Sequence, residues 1–414
     1  MESELQVKRH LLRRLPTGER RRLVVITGAR QTGKTTLARA AWPGIRYVNL
    51  DNIEDRSALR DTRTSAWART VGPAVLDEAQ KEPTVFDKVK YAYDAGEIGF
   101  SALLGSSRFL LLERVRESLA GRAFVFELWP LMLSEVCTAD GGELQAPLLA
   151  RVAERGVAAA CAEEPARLLG PEAAHRQAAL AHLRTWGGFP ELLRLPDEER
   201  NEWLRSYVVT FLERDLADIG RVNDLLPFRK LQSLVFFRSG QLLSFADLAR
   251  DATLPVATTR RYLEYLTIAG QVIALPPWGT NLTSAVVKSP KLFAADLGLL
   301  RSVGGGVGGA AFETLAVSEV HKWVATTGAD LRLSFYRTRS GMEVDLLVEG
   351  PAGVVGIELK DRARATPSDA RNLRTLGAAL GDRWLGGMVV TAGEHLDRLV
   401  DDATIWEVPL SRLM

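Results

Sequence analysis

The chain has 414 residues, of which 46% are hydrophobic and 25% are charged, and its formal net charge at pH 7 is +2. These values are ordinary for a globular protein, and they exclude a surface that is basic throughout, so any nucleic acid must be bound by a local patch. The length exceeds that of a typical single hydrophobic core, and it predicts two or three domains.

The cysteine content and the apolar runs indicate the compartment. Two cysteines, Cys137 and Cys161, cannot form a disulfide framework or a zinc knuckle, which favours a reducing environment. The basic stretch 1–22 lacks the apolar core of a signal peptide, and no apolar run reaches the roughly eighteen residues that a membrane span requires. We therefore expect a cytoplasmic protein with no membrane partner.

The first motif predicts a nucleotide-binding loop. Residues 23–40 read LVVITGARQTGKTTLARA, a β-branched run followed by a glycine-rich turn and an alanine-rich helical pattern. This is the strand–GxxxxGK[ST]–helix order of a P-loop, in which backbone N–H groups surround phosphates at a helix N-terminus. Lys34 is expected to reach the β- and γ-phosphates, and Thr35 is expected to bind Mg²⁺. The residues expected to bind ATP in this loop are Gly28, Arg30, Gln31, Thr32, Gly33, Lys34, Thr35 and Thr36.

A second motif supplies the acidic residues that ATP hydrolysis needs. Residues 73–80 read PAVLDEAQ, a buried-looking strand that ends in Asp77 and Glu78. Asp77 fits the Walker B role of holding Mg²⁺ and contacting the cofactor, and Glu78 fits the catalytic role of orienting or activating the attacking water. The Asp-Glu pair favours an ATP hydrolase over a phosphotransferase that acts on a small acceptor, which would leave Glu78 unexplained.

A third strand, ALLGSS at 102–107, ends in two serines, and Ser106 is the candidate contact to the γ-phosphate. A simple Gly-Ser-Ser turn explains the same letters equally well. Two arginines further along, Arg108 and Arg122, are candidates for a residue that acts on the nucleotide of a neighbouring subunit, although surface arginines are common. This pattern leaves a homo-oligomer possible.

Several stretches follow one another in order along nearly the whole chain: ITGARQTGKTT, VLDEAQ, LLGSSRFLLLERVRESLAGRAFVFELWPL, GGFPELL, YVVTFLERDL, SPKLFAADLGLL and GMEVDLL…IELK. In these stretches the chain resembles a specific family, the prokaryotic AAA-type ATPases with a C-terminal domain of unknown function that is itself similar to PD-(D/E)XK nucleases. The resemblance implies an ATPase domain, a helical and winged-helix middle, and a restriction-endonuclase-like end. One departure concerns the third strand, because these proteins often have a threonine where this chain has Leu104.

The middle of the chain predicts a winged helix-turn-helix. Residues 227–281 read as a helix, a short helix capped by Ser244, a turn, a third helix and a strand pair. The third helix carries Arg260 and Arg261 in its first turns, where a recognition helix contacts DNA. The same pattern fits a lid or a protein dock with two solvated arginines, because the wing adds no basic residue.

The C-terminal third predicts a helix, three strands, a helix and a strand, which is the core order of a PD-(D/E)XK fold. Asp345 ends one strand, and a hairpin at 349–353 brings it across from Glu358 and Lys360, while Glu313 lies near the start of the preceding helix. Nuclease chemistry needs carboxylates to hold Mg²⁺ and a lysine near the phosphate, so Glu313, Asp345 and Glu358 are the candidate metal ligands and Lys360 the candidate catalytic lysine. The alternative is a solvated cross-strand ion-pair cluster.

These predictions give one fold class and two functions. The fold class is α/β, with a doubly wound parallel P-loop sheet, a helical and winged-helix middle, and an α/β restriction-endonuclease-like end. The first function is an Mg²⁺-dependent ATPase that handles nucleic acid, DNA rather than RNA, and gates a nuclease-like domain. The alternative is an ATP-driven regulatory or defence switch that binds DNA or a protein without cutting. The expected domains are 1–137 (ATPase), 138–226 (helical linker or lid), 227–300 (winged helix) and 301–414 (nuclease-like).

Overall fold

The computed structural model describes residues 7–139, 141–219, 225–279, 288–305, 308–399 and 403–414, with the backbone alone for 211–219. Three β-sheets follow one another along these residues, and they contain five, three and six strands. Each sheet has its own place in the sequence, so the chain is built from successive units. No helix in the described ranges is long and apolar enough to cross a lipid bilayer.

The N-terminal sheet is entirely parallel and has the spatial order β2-β3-β4-β1-β5. Its central strands are continuous runs of Val, Leu, Ile and Ala that are buried on both faces, as a sheet covered by helices requires. The predicted parallel P-loop sheet is therefore confirmed. Its strands are β1 (Arg22–Thr27), β2 (Arg46–Asn49), β3 (Ala74–Asp77), β4 (Phe100–Gly105) and β5 (Ala123–Glu127), and its helices are α1 (Lys34–Ala41), α2 (Ile53–Asp61), α3 (Trp67–Thr70), α4 (Thr84–Asp94) and α5 (Arg108–Ser118).

The middle of the chain begins with five helices and continues as a small mixed unit. The five helices are α6 (Leu133–Val136), α7 (Leu148–Arg155), α8 (Val157–Ala162), α9 (Pro171–Trp186) and α10 (Asp197–Ile219). The mixed unit contains α11 (Leu225–Phe237), β6 (Gln241–Leu242), α12 (Phe245–Ala252), α13 (Val256–Ile268), β7 (Val272–Leu275), β8 (Lys291–Ala294) and α14 (Leu297–Ser302).

The mixed unit has the predicted order of helix, short helix, helix and strand β7. The partner of β7 is β8, which lies beyond the 227–281 stretch from which a strand pair was predicted, and β6 is an additional short strand. Its three strands form an antiparallel sheet in the order β6-β8-β7. The Ser244 side chain accepts a hydrogen bond from the backbone N–H of Asp247, so it caps α12 as expected. Of the predicted wing, PPWGTN at 276–281, the first four residues are described, and residues 280 and 281 lie outside the described residues.

The C-terminal unit has a six-stranded sheet in the order β13-β14-β12-β11-β10-β9. β9, β10 and β11 form an antiparallel meander, and β12 pairs with β11 in parallel. Its elements are α15 (Gly308–Thr327), β9 (Arg332–Arg337), β10 (Glu343–Gly350), β11 (Gly353–Lys360), α16 (Arg371–Leu380), β12 (Trp384–Thr391), β13 (Asp397–Arg398), β14 (Ile405–Pro409) and α17 (Leu410–Leu413).

Helices from the middle of the chain contribute to the core of the C-terminal unit. α7 contacts β10, β11 and β12, and α8 contacts β12 and β14. Val152 and Val157 of these helices belong to one buried cluster with Ile357 and Met388 of the C-terminal sheet. The C-terminal sheet is therefore covered by chain that comes directly after the N-terminal sheet, and the N-terminal unit is anchored to it through a short connection.

Candidate functional site

The P-loop is a tightly curled turn between β1 and α1, and two of its glycines permit that conformation. Gly33 lies at φ 92°, ψ 25° and caps α1, a conformation that costs a glycine little. A β-carbon at Gly28 would overlap the backbone oxygen of Leu128. The buried Lys34 ammonium donates to the backbone oxygens of Gly28 (2.9 Å) and Ala29 (2.8 Å). The loop is thus already curled around the lysine that would contact phosphate.

The other predicted loop residues surround the same turn. Thr32 is buried, and its hydroxyl donates to Ala29 at 2.9 Å, which closes the loop. Gln31 has φ 62° and is exposed, and Thr36 is exposed on the first turn of α1. The backbone oxygen of Arg30 accepts from the Tyr207 hydroxyl at 3.3 Å, so α10 touches the loop.

Asp77 lies in contact with the P-loop at the carboxyl edge of the sheet. Its Oδ2 accepts from the Thr35 hydroxyl at 2.6 Å and from the Tyr47 hydroxyl at 2.7 Å, and its Oδ1 accepts from the backbone N–H of Glu78 at 2.9 Å. Burial, together with the carboxylate that it faces, raises the pKa of Tyr47 to about 12, so the phenol stays a donor. A hydroxyl and a carboxylate held together are hard oxygen ligands that fit Mg²⁺.

Sequence reasoning missed Tyr47, although the strand register could have indicated it. β2 pairs with β3 in parallel, and Asn49 lies opposite Asp77. Tyr47, two residues earlier, projects from the same face of β2 as Asn49. A polar residue on the strand next to the Walker B strand was therefore the available signal.

Glu78 lies beside Ser106, as the predicted site requires. The Ser106 hydroxyl donates to Glu78 Oε2 at 2.9 Å, and the side-chain amide of Gln80 donates to the same oxygen at 2.5 Å. Glu78 itself has φ 53°, ψ 42°, in the left-handed region. The structure thus brings Glu78, Asp77, Lys34, Thr35 and Ser106 together across β1, β4 and β3. Sequence reasoning did not single out Gln80.

Both arginines considered for a subunit interface make ion pairs within this chain. Arg108 pairs with Glu127 at the end of β5, and burial raises the pKa of that carboxyl while Arg108 opposes the shift. Arg122 pairs with Asp94 at 2.8 Å on the surface.

A buried polar junction connects the P-loop to α15. The Arg9 guanidinium donates to the backbone oxygens of Thr32 (3.1 Å) and Trp129 (2.5 Å), and it pairs with Glu135 at 3.2 Å. Within the same 129–135 segment, the backbone N–H of Leu133 donates to Glu319 of α15 at 2.6 Å. Lys322, which pairs with Glu319, donates to the backbone oxygen of Leu131 at 3.1 Å. Residues 129–135 are therefore held from both sides.

The predicted C-terminal residues gather at one region of the sheet. Asp345 lies near the start of β10 and not at the end of a strand as predicted, because β10 continues through the apolar run to Gly350. It accepts from the backbone N–H of Leu359 at 2.8 Å, which places it beside Glu358 as the hairpin predicts. Lys360 donates to Glu358 Oε1 at 2.9 Å. Burial and the charge of Asp345 raise the pKa of Glu358 and the pKa of Glu313, each to about 7. Burial also raises the pKa of Asp345 itself.

A lysine that sequence reasoning did not consider enters this cluster from the middle unit. The Lys291 ammonium lies 2.9 Å from Glu313 Oε1 and 2.5 Å from Glu343 Oε1, and its side chain is 4% exposed. Glu343 also pairs with Arg337 at 3.1 Å. The only available signal was a charge at the start of an otherwise apolar strand, KLFA.

The cluster retains one oxygen that could take a further partner. Glu358 Oε2 is buried and has no hydrogen-bond partner among the residues that the structure describes. Within those residues, no three His, Cys, Asp or Glu side chains are arranged so that they could hold a metal ion. Carboxylate oxygens are suitable ligands for Mg²⁺, but the carboxylates of this cluster are arranged around Lys291 as ion pairs.

The arginines of the predicted recognition helix are exposed, as direct contact with a ligand would require. The Arg260 guanidinium packs over the ring of Phe245 at 3.9 Å, and Arg261 lies 5.6 Å from the ring of Tyr262. These contacts hold the arginine stems to the helical surface.

Comparisons with known proteins agree with the N-terminal site. The fold and its P-loop define an AAA-type ATPase domain, and residues 20–137 match the sequence model of the AAA domain. Residues 177–307 match Domain of unknown function (DUF8612), and residues 308–413 match Domain of unknown function (DUF4143). The ATPase part of the predicted family resemblance is confirmed, and the C-terminal match carries no activity with it.

Two curated relatives cover most of the chain. Uncharacterized protein Rv2008c of Mycobacterium tuberculosis (strain ATCC 25618 / H37Rv) is 30% identical over 407 residues, which are 95% of this chain and 81% of that protein. Uncharacterized protein Mb2031c of Mycobacterium bovis (strain ATCC BAA-935 / AF2122/97) gives the same values. The chain belongs to the family of these proteins. A solved structure, the Walker-type ATPase paby2304 of Pyrococcus abyssi, covers 68% of this chain and 91% of its own at 16% identity and a TM-score of 0.41.

Proposed function

We propose that this protein is an Mg²⁺-dependent ATP hydrolase whose nucleotide state gates a nucleic-acid-processing site in the C-terminal unit. One observation supports the nucleic-acid-processing site. Four charged residues gather at one region of the C-terminal sheet, where an unpaired buried charge would cost free energy: Glu313, Asp345, Glu358 and Lys360. DNA is the proposed substrate, and the exposed Arg260 and Arg261 are the proposed contacts that hold it.

Within the ATPase unit, each polar residue has a role. Lys34 binds the β- and γ-phosphates, while Thr35 and Asp77 hold Mg²⁺, which neutralises phosphate charge. Glu78 orients the attacking water, and Ser106 contacts the γ-phosphate. In the C-terminal unit, Asp345, Glu358 and Glu313 would supply the oxygen ligands for Mg²⁺, although the described side chains are arranged around Lys291 as an ion-pair cluster. Lys360 would stabilise charge on the attacked phosphate.

The buried junction supports coupling between the two sites. The Arg9 guanidinium is hydrogen-bonded to the backbone oxygen of Thr32, so a movement of the P-loop at Thr32 would shift Arg9. Arg9 also contacts Trp129 and Glu135. Glu319 and Lys322 of α15 contact the same 129–135 segment, and α15 also carries Glu313. A nucleotide-dependent movement of this segment would therefore be transmitted to the helix that supplies one carboxylate of the cluster.

A second function, an ATP-driven switch that binds DNA or a protein without cutting, is favoured by a different observation. Lys291 lies between Glu313 and Glu343, and these ion pairs join the middle unit to the C-terminal unit. In the switch function, the cluster is a contact between the middle and C-terminal units, and ATP binding or hydrolysis forms or breaks the Lys291 ion pairs.

One experiment separates the two functions. Purified protein is incubated with labelled single- and double-stranded DNA and RNA, with Mg²⁺ or Mn²⁺, in the presence and absence of ATP, beside Asp345→Ala and Lys34→Ala. Cleavage that is lost in Asp345→Ala and altered in Lys34→Ala supports the gated nuclease. Intact ATPase activity with no cleavage under any condition rejects the nuclease and favours the switch.

Asp345→Ala also needs an internal control, because a misfolded variant would lose cleavage for a trivial reason. Its ATPase rate should equal that of the wild type, since Asp345 lies in a different unit from the P-loop. Cleavage that persists unchanged in Asp345→Ala would show that the activity comes from a different site or a contaminant.

A further inference from the structure

Glu78 is held in an unusual way. Its backbone lies in the left-handed region at φ 53°, which is uncommon for a residue with a β-carbon and persists only where the surroundings impose it. Among the described residues, two side-chain donors reach it, the Gln80 amide and the Ser106 hydroxyl, and both converge on the single oxygen Oε2. The backbone and the carboxylate of Glu78 are therefore both restrained.

The two donors differ in what they can do when a nucleotide arrives. A serine hydroxyl has one proton and donates to one acceptor at a time, so a γ-phosphate beside β4 competes with Glu78 for Ser106. The Gln80 amide has two donor protons, and the side chain is buried, with 7% of the residue exposed. Gln80 is therefore the donor that can remain on Glu78 while Ser106 is exchanged.

The space that Gln80 occupies depends on a glycine of the neighbouring strand. A β-carbon at residue 105 would overlap Gln80 Oε1, so the amide fits beside β4 because residue 105 is Gly105. Gly105 does not have a positive φ, so its backbone conformation does not require glycine. The missing side chain at this position instead leaves room for the Gln80 amide. A methyl group at this position would displace the Gln80 amide, and it would also lie 3.2 Å from Leu111 Cδ2.

We propose that Gln80 is a positioning residue of ATP hydrolysis, which holds the Glu78 carboxylate towards the attacking water after Ser106 has moved to the γ-phosphate. The inference rests on the role proposed above for Glu78. In the nucleotide-free protein both donors hold the carboxylate, and in the ATP-bound protein Gln80 holds it alone. Without Gln80 the carboxylate would turn freely once ATP is bound, and water would be poorly aligned.

The test separates alignment from binding. Gln80→Ala should lower kcat by up to about 100-fold, the effect of a small misplacement of a reacting group, with KM and the affinity for a non-hydrolysable ATP analogue within about 2-fold of the wild type. Gly105→Ala should reproduce this pattern, and the double variant should be no slower than either single variant, because both changes remove the same contact. Gln241→Ala, at an exposed glutamine of β6, is the matched control and should not alter kcat.

Three outcomes decide the inference. Wild-type kcat in Gln80→Ala, with Glu78→Gln strongly impaired, overturns the role of Gln80 and leaves that of Glu78 intact. Wild-type kcat in both variants overturns the role of Glu78 itself. A loss of ATP-analogue affinity in Gln80→Ala that matches the loss of kcat overturns positioning in favour of a structural role, and thermal unfolding of each variant identifies a loss caused by misfolding.

Discussion

The ammonium of Lys291 lies 2.9 Å from Oε1 of Glu313, so a lysine of the middle unit neutralises a carboxylate of the C-terminal unit. The pair is nearly buried, with 4% of the lysine side chain and 20% of the glutamate side chain exposed. Because a buried charge is costly when unpaired, this contact ties the position of β8 to the state of the carboxylate cluster.

We expect Lys291→Met to destabilise the protein at pH 8 and to make its stability depend on divalent cations. The substitution keeps the apolar stem but removes the positive charge between Glu313 and Glu343, which are then left repelling Asp345. Mn²⁺ should replace part of that charge, and it should raise the thermal unfolding midpoint of the variant more than that of the wild type. Lys288→Met, at an exposed lysine nearby, is the control. Equal Mn²⁺ responses in all three proteins would show that Lys291 does not shield the cluster.

The pKa values of the cluster predict a pH dependence of stability. Glu313 has a folded pKa of about 7, raised chiefly by burial above the 4.5 of an ordinary glutamate. The folded state therefore holds a proton that the unfolded state releases, and the contribution of Glu313 to stability is complete below pH 4.5 and is lost as pH rises through 7. In Glu313→Gln this loss is absent.

Urea unfolding at pH 5, 6, 7 and 8 checks this prediction. The free energy of unfolding of the wild type, relative to that of Glu313→Gln, should decrease across this range. Glu358→Gln should behave in the same way, because the pKa of Glu358 is also raised to about 7. A difference that stays constant with pH would mean that neither carboxyl titrates in this range.

Much of the ATPase site could be predicted because each of its parts is local in sequence. A strand, a glycine turn and a helix follow one another around Lys34, and Asp77 ends a continuous apolar run. The parallel sheet then requires both carboxyl ends to meet at one edge. Tyr47 and Gln80 were not predicted, because a tyrosine in a strand and a glutamine after it are ordinary in composition, and only strand register and side-chain contacts identify them.

The C-terminal cluster was predicted in part for the same reason. The hairpin between β10 and β11 is local, so the closeness of Asp345 to Glu358 follows from the pattern. The entry of Lys291 does not follow, since it comes from a strand of another unit and depends on how two units pack. The packing of α7 and α8 on the C-terminal sheet is also a long-range contact that no local pattern encodes.

Lys34→Ala should abolish ATP binding or turnover. The Lys34 ammonium donates to the backbone oxygens of Gly28 and Ala29 in the loop, and its removal takes away the positive charge expected to contact the β- and γ-phosphates. Nucleotide binding by fluorescence and ATPase rates check this expectation, with Lys90→Ala as the control on α4. ATPase activity that survives in Lys34→Ala would refute the P-loop assignment.

The junction between the units should depend strongly on Glu319. Glu319 is fully buried, pairs with Lys322 and accepts from the backbone N–H of Leu133. Glu319→Ala therefore removes the carboxylate that both the buried ammonium and the backbone N–H contact. We expect a loss of about 3–5 kcal/mol in the free energy of unfolding. Glu319→Gln keeps an acceptor for Leu133 and should lose less, and Glu117→Ala, which breaks an exposed pair with Arg114, should lose little. Denaturant unfolding of the three variants ranks them, and equal losses in Glu319→Ala and Glu117→Ala would show that the junction does not hold the units together.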